Sequence, residues 1–299
     1  MKISITELVP ENSRVILDEE SSIKYFNEIK NNGNTNSVRK WRSARRFPAT
    51  LIIEKEVVGK NQITLGIPRS SKKTTLLTEI GISQKIGWLI GLWHAEGKKG
   101  CKKKYRVTIS NSNLLLIEGA LFILRKDFSF QDEIKIYTKT TVKIQPHSFE
   151  GFGKIKTVLD INQKYLYTKP HFEIEIVNKI FYDYLSNIFK KAKNNKEFQK
   201  GYVAGIIDGD GYISKNGYLD LRMEKDEFSS IIHKYVKEIL LGEGFPIKEY
   251  LKNQFRLQMI RKCFSNKLLI TFPIKHADKI NRLSLSQRQK GVPTAIAKQ

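Results

Sequence analysis

WLIGLWHAEG at residues 88–97 aligns with YVAGIIDGDG at 202–211 without a gap, and this internal repeat constrains the fold more than any other feature. Gly91 falls on Gly205, Ala95 on Gly209, Glu96 on Asp210 and Gly97 on Gly211, at a constant offset of 114, the separation of Glu96 from Asp210. A repeat of that length is a whole subdomain. After the first copy come a strand in KKYRVTISNS, an apolar-periodic helix from Asn113 to Asp127, strands DEIKIYTK and FEIEIVN, and a helix from Asn178 to Lys193. After the second come YISKNGYLDLRME, a helix from Asp226 to Leu241, strands IKEYL and QFRLQMI, and a helix from Phe272 to Leu283. Both halves read as αββαββα, an α+β class with two pseudo-symmetric halves at 80–194 and 195–299. Residues 140–170 are an insertion in the first half with no element assigned.

Gly91 and Ala95, like Gly205 and Gly209, are four apart and share one helix face, where small side chains let two backbones approach closely. Paired in parallel, the repeated helices would bring Glu96 and Asp210 together at one end. A carboxylate at a helix C-terminus opposes the dipole there, at a cost of several tenths of a kcal/mol. Two carboxylates at two such ends call for a cation, and hard cations with oxygen ligands fit. Mg²⁺, or Mn²⁺ in its place, accepts one or two carboxylates together with phosphate oxygens, which suits phosphodiester hydrolysis by metal-activated water. A calcium loop fails on spacing, because Tyr212 stands where a third oxygen ligand is needed. His94, two positions before the first acid, reads as a packing or hydrogen-bonding residue. Asp208 reads as a cap or helix-end residue.

Charge names the partner class. Lys and Arg number 53 against 30 Asp and Glu, a formal charge of +23 spread along the chain, which points to a polyanion. Cys101 and Cys263 support neither a disulfide framework nor a zinc finger. No membrane span or secretory signal is found in the sequence, so the expectation is an intracellular protein without a membrane partner.

LIGLWHAEG and VAGIIDGDG, with the element order after each, resemble the LAGLIDADG homing endonucleases, specifically single-chain members with two motif copies; the resemblance covers roughly residues 80–285. It implies that the motif helices form the interface between the halves and that each half offers a curved antiparallel sheet to the DNA major groove. It also implies that Glu96 and Asp210 bind divalent metal at the scissile phosphates, and that both strands of a long, partly palindromic site are cut to leave short 3′ overhangs. Relatives carry a polar residue near the metals, which corresponds to Asn111 in the first half and to Met223 or Glu224 in the second. For the assisting base, Lys99 and Lys279 are the candidates, with a solvated surface lysine as the alternative at each. On the same fold, a non-cutting DNA-binding regulator or an RNA maturase acting on structured intron RNA is the rival reading.

The strands support nucleic-acid contact on their own terms. Lys135, Tyr137 and Lys139 alternate with Ile134, Ile136 and Thr138, and Arg256 and Gln258 alternate with Phe255, Leu257 and Met259. Arg and Gln read base edges bidentately, whereas Lys mainly contacts phosphate. Arg106 and Arg222 join these candidates, as does Asn111; a solvated sheet face is the alternative. Residues 1–75 form an accessory unit. It has two helices over 19–48, the second rich in Arg39, Lys40, Arg42, Arg45 and Arg46, then a hairpin turning at 59–61, an order similar to a winged helix. A small structural lid is the other reading, and 70–75 reads as a linker. With no Cys or Ser at residue 1 and an Ile-Ala-Lys-Gln end, a freestanding monomer from an intron or an independent mobile element is expected in preference to an intein.

Overall fold

The computed structural model of the chain describes residues 1–8, 15–16, 51–57, 61–66, 73–97, 105–163, 169–213, 219–224, 226–251 and 254–259. The N-terminal part comprises β1 (Lys2–Ser4), one helical turn α1 (Ile5–Leu8), β2 (Val15–Ile16), β3 (Leu51–Val57), β4 (Gln62–Gly66), β5 (Lys73–Leu77) and β6 (Glu79–Gly81). β3 and β4 form the expected antiparallel hairpin, and β2 to β5 make one sheet in chain order. The expected linker is corrected in part: its residues 73–75 start β5, which pairs antiparallel with β4 and buries Thr74 and Leu76. The start of the chain also packs onto the first half. β1 pairs with β6, the Asn187 side-chain amide donates to the Leu8 carbonyl at 2.7 Å, and Ile3 and Leu8 share a continuous core with that half. The helices expected over 19–48, with Arg39 and Arg42, lie outside the described residues.

The first half contains α2 (Gln84–Glu96), β7 (Arg106–Asn111), α3 (Leu114–Lys126), β8 (Ile134–Thr140), β9 (Ile155–Ile161), β10 (His171–Val177) and α4 (Lys179–Ala192). The second contains α5 (Lys196–Asp210), β11 (Gly211–Ile213), β12 (Leu219–Met223), α6 (Glu227–Gly242), β13 (Ile247–Tyr250) and β14 (Phe255–Met259). The class is α+β. Sheet orders are β7-β10-β8-β9 and β11-β12-β14-β13, so β7, β10 and β8 correspond to β12, β14 and β13. Residues 98–104, where a counterpart of β11 would fall, lie outside the described residues, as do Lys99, Lys279 and the helix expected over 272–283.

Two expectations are corrected in the first half. The unassigned insertion carries β9, so three strands follow α3 instead of two. The sheet is also not wholly antiparallel, because β9 runs parallel to β8 from Ile134↔Ile155 to Thr140↔Ile161. Residues 141–154 are long enough for the crossover that a parallel neighbour requires. Among the described residues no helix is long and apolar enough to cross a membrane.

At the centre lie α2 and α5, capped by Ser83 and Asn195, whose side chains accept from the Ile86 and Phe198 amides. In α2 every residue from Ile86 to Ala95 is buried, as expected for a helix apolar on all sides. The two backbones touch. A Cβ built on Gly91 would come 2.1 Å from the Tyr202 carbonyl oxygen, and one on Gly205 2.2 Å from that of Trp88. One turn earlier, Gly87 would meet the Phe198 oxygen at 2.2 Å and Gly201 the Gln84 oxygen at 1.9 Å. Trp88 is equivalent to Tyr202 and Gln84 to Phe198, so the contacts come in reciprocal pairs, as a two-fold axis between parallel helices requires.

Candidate metal centre and nucleic-acid interface

Hydrogen bonds buried between the helices follow the same symmetry. The Trp88 indole Nε1 donates to Asp208 Oδ2 at 2.8 Å, and Tyr202 Oη lies 2.8 Å from His94 Nδ1. Trp88 and Tyr202 are equivalent, as are His94 and Asp208, so one bond recurs twice in different chemistry. Asp208 is thus a fully buried interhelical acceptor inside α5 and not a cap. His94 has the hydrogen-bonding role expected of it, within an aromatic surround of Trp93, Phe189 and Phe228.

Glu96 and Asp210 are the last residues of α2 and α5, and both are half-buried. A Cβ on Gly209 would meet Ala95 Cβ at 2.4 Å and Glu96 Cγ at 3.1 Å, so the helices still touch one residue before each acid. Only one of the equivalent positions 95 and 209 has space for a methyl group. Both chains then leave in extended conformation at Gly97 and Gly211, where a side chain would press on the Trp93 and Ile207 carbonyls at 2.3 and 2.4 Å. The acids are therefore delivered together to the negative ends of two dipoles.

Asn111 holds one of them. Its side-chain amide donates to Glu96 Oε1, while its Oδ1 accepts from the Asn113 amide at 2.8 Å. Of the two places expected of Asn111, beside the acids and on the DNA-contacting face, strand alternation gives the first, on the helix-side face of β7 with Val107 and Ile109, 5% exposed. The N-cap residues Asn113 and Asp226 align Asn111 with Glu224, which is exposed, so the halves differ here. Asn111→Ala is expected to weaken the binding of any divalent cation held at Glu96 about 10- to 100-fold. Calorimetric titration of the wild type and the variant with Mg²⁺ checks this.

The outer sheet faces carry the other candidates. In β8 the burial alternates without exception, leaving Lys135, Tyr137 and Lys139 on the polar side. Arg106 shares that face, since Thr108 and Lys135 both sit opposite Glu175. Two acids of β10, overlooked in the sequence, organise this face. Glu175 is 2.8 Å from Arg106 Nη1, Glu173 is 2.5 Å from Lys139 Nζ, and the Tyr137 hydroxyl donates to Glu175 at 3.4 Å. Their signal was present: in FEIEIV the glutamates occupy the polar phase of a period-two strand.

In the second half one buried acid, Asp220, performs the same service. Arg256 Nε and Arg222 Nη2 lie 2.6 and 2.8 Å from its oxygens, and Gln258 sits across from it in register. Tyr250 and Tyr212 complete the face, with Arg256 over the Tyr250 ring at 5.1 Å. Burial raises the Asp220 carboxyl, but the bonds from Arg256 and Arg222 outweigh it and leave its pKa below the ordinary value. A depressed folded pKa means that the stabilisation is complete above about pH 4 and lost as pH falls through the lower folded value. Asp220→Asn should therefore cost about 1–2 kcal/mol at pH 7, discounted for the exposed Arg222, and progressively less as the pH falls below about 4. Urea unfolding at pH 7 and at a series of acidic pH values measures the decline.

No protein-family model matches the chain, and no curated protein does. Solved structures of similar shape include I-DmoI in complex with DNA and Mn, with TM-score 0.44, 17% identity, and 63% of this chain and 98% of that one covered. Mesophilic variants of the homing endonuclease I-DmoI give 0.41 and 16%, over 72% of this chain and 98% of theirs. The N-terminal LAGLIDADG domain of WhiA gives 0.40 and 11%, over 71% of this chain and 86% of that one.

Proposed function

We propose that the chain is a site-specific DNA endonuclease that hydrolyses both strands of a duplex, with Glu96 and Asp210 holding divalent metal. The observation that carries this reading is the delivery of two carboxylates to the joined C-terminal ends of α2 and α5, flanked by two sheets with Arg- and Lys-bearing faces. The donor set fits Mg²⁺ or Mn²⁺ in being all oxygen, and because no cluster of three or more His, Cys, Asp or Glu occurs among the described residues, ligands from outside the protein are needed to complete it. Water and phosphate would supply the remaining positions, as Mg²⁺ prefers. Bound there, the metal would lower the pKa of a water and polarise a phosphate oxygen.

The chain's own residues do the rest. Asn111 keeps Glu96 Oε1 turned toward its amide and so orients the other oxygen. Glu173, Glu175 and Asp220 hold Arg106, Lys139, Arg222 and Arg256 in set directions, which reduces the side-chain entropy lost on contact with DNA. Because the face residues differ between the halves, the site is expected to be only partly palindromic. A scissile phosphate beside the pseudo-two-fold axis would find one acid from each half available. Lys99 and Lys279 remain the candidates for the assisting base, and a monomer suffices because one chain carries both halves.

A plasmid library of randomised inserts, incubated with the protein and Mg²⁺, tests the reading. Linearised members sharing an enriched insert are the expected result. Tight binding of a defined insert without cutting would leave a DNA-binding regulator, and preference for structured RNA would leave a maturase.

A further inference from the structure

β9 contributes little to the core. Ile155 packs against it, but Lys156, Thr157 and Ile161 are exposed, and among the described strands β9 is the edge of its sheet. It is nevertheless firmly anchored. Arg125 donates from Nε to the Phe152 carbonyl at 2.6 Å and from Nη2 to the Lys154 carbonyl at 2.9 Å, just ahead of the strand. From Nη1 it donates to the Asp132 carbonyl at 2.9 Å, just ahead of β8, so one guanidinium ties the starts of both strands. Phe149 is buried against Phe172, and His147 lies 3.1 Å from Glu118 of α3. The arm is thus fixed to the sheet, although Phe149 is its one buried residue among those described.

Its register says what it adds. Lys156, Val158 and Asp160 are the partners of Lys135, Tyr137 and Lys139, and so lie on the same polar face. Lys135 and Lys156 stand side by side, an unfavourable like-charge pair in a sheet that a polyanion would relieve. Strand order carries this face away from the acids: β7 brings Asn111 to Glu96, and β9 is the farthest strand from β7. In the second half the equivalent strands β13 and β14 are joined by the four residues Leu-Lys-Asn-Gln at 251–254, without such an arm.

We infer that β9 and its arm extend the DNA-contacting face of the first half, so that this half engages a longer stretch of duplex than the second. The inference rests on the proposed DNA-binding function. One further strand adds about 4.8 Å, or about one to two base pairs.

Selection from a randomised duplex library tests it, using the wild type and a full-length variant in which residues 141–170 are replaced by Leu-Lys-Asn-Gln. The wild type should enrich a block that extends about one to two base pairs farther on one side of its centre, and the variant should lose those positions on that side alone. Lys156→Glu, an exposed change that leaves the core intact, serves if the replacement does not fold. On the duplex selected by the wild type, its log-log dependence of binding on salt should fall by about one. An unchanged block in the replacement, or an unchanged slope for Lys156→Glu, would overturn the extension and leave the DNA reading standing. No enrichment by the wild type would end both.

Discussion

Asp210→Asn and Glu96→Gln should each lower the cleavage rate by at least about 10³-fold, a loss of several kcal/mol of transition-state stabilisation. Binding to the same duplex should change little. The effect is expected to be large because, among the described residues, one carboxylate at the end of each helix is what the proposed centre offers a cation. Folding should respond in the opposite sense. Each substitution removes one of two like charges from the negative ends of two dipoles, so the melting temperature should hold or rise by a few degrees. This divergence separates a metal centre from a structural acid pair, for which activity and melting temperature would fall together.

Gly205→Leu should have the largest effect on stability. The first added atom alone would lie 2.2 Å from the Trp88 carbonyl oxygen and 2.6 Å from the Leu92 amide nitrogen, both backbone atoms of α2. A flexible side chain could swing aside, but here two helices must separate. That movement would also stretch the Trp88–Asp208 and Tyr202–His94 bonds, leaving buried polar groups short of partners. Gly205→Ala should cost at least about 3 kcal/mol, and Gly205→Leu more than about 5, enough to unfold a marginally stable chain. Thermal unfolding measures both, and near-wild-type melting of the leucine variant would refute the close helix contact. Cleavage should fall with stability here, in contrast to the acid variants.

The central helices are legible in the sequence because three signals coincide at one offset: paired small residues, a terminal acid and an exit glycine. The second half's strands can be read for a related reason, since IKEYL and QFRLQMI are bounded by turn residues and carry a period of two. β9 gives no such warning. IKTVLDI mixes Lys, Thr and Asp with its apolar residues on both phases, because neither face is fully buried, and parallel pairing leaves no hairpin turn beside it. β5 resembles a linker because its polar Lys-Thr-Thr start outweighs the leucines after it, although Thr74 is buried. The interhelical bonds join residues more than a hundred positions apart, yet they too leave a trace. An aromatic residue and, six positions on, a polar one recur in both copies, Trp88 and His94 in the first and Tyr202 and Asp208 in the second, each aromatic bonding the polar residue of the other copy. Asn111 carries two expectations, beside the acids and on the DNA face, and the phase of its strand decides for the first by turning it to Glu96.

The most direct test of the central claim tracks both strands of one duplex. A duplex selected by the wild-type protein is labelled at each 5′ end in turn and incubated with Mg²⁺. The expected result is one cut in each strand, the two separated by a short fixed stagger, and neither cut with Glu96→Gln or Asp210→Asn. Tight, sequence-specific binding by the wild type with both strands left intact under Mg²⁺ and Mn²⁺ would contradict it.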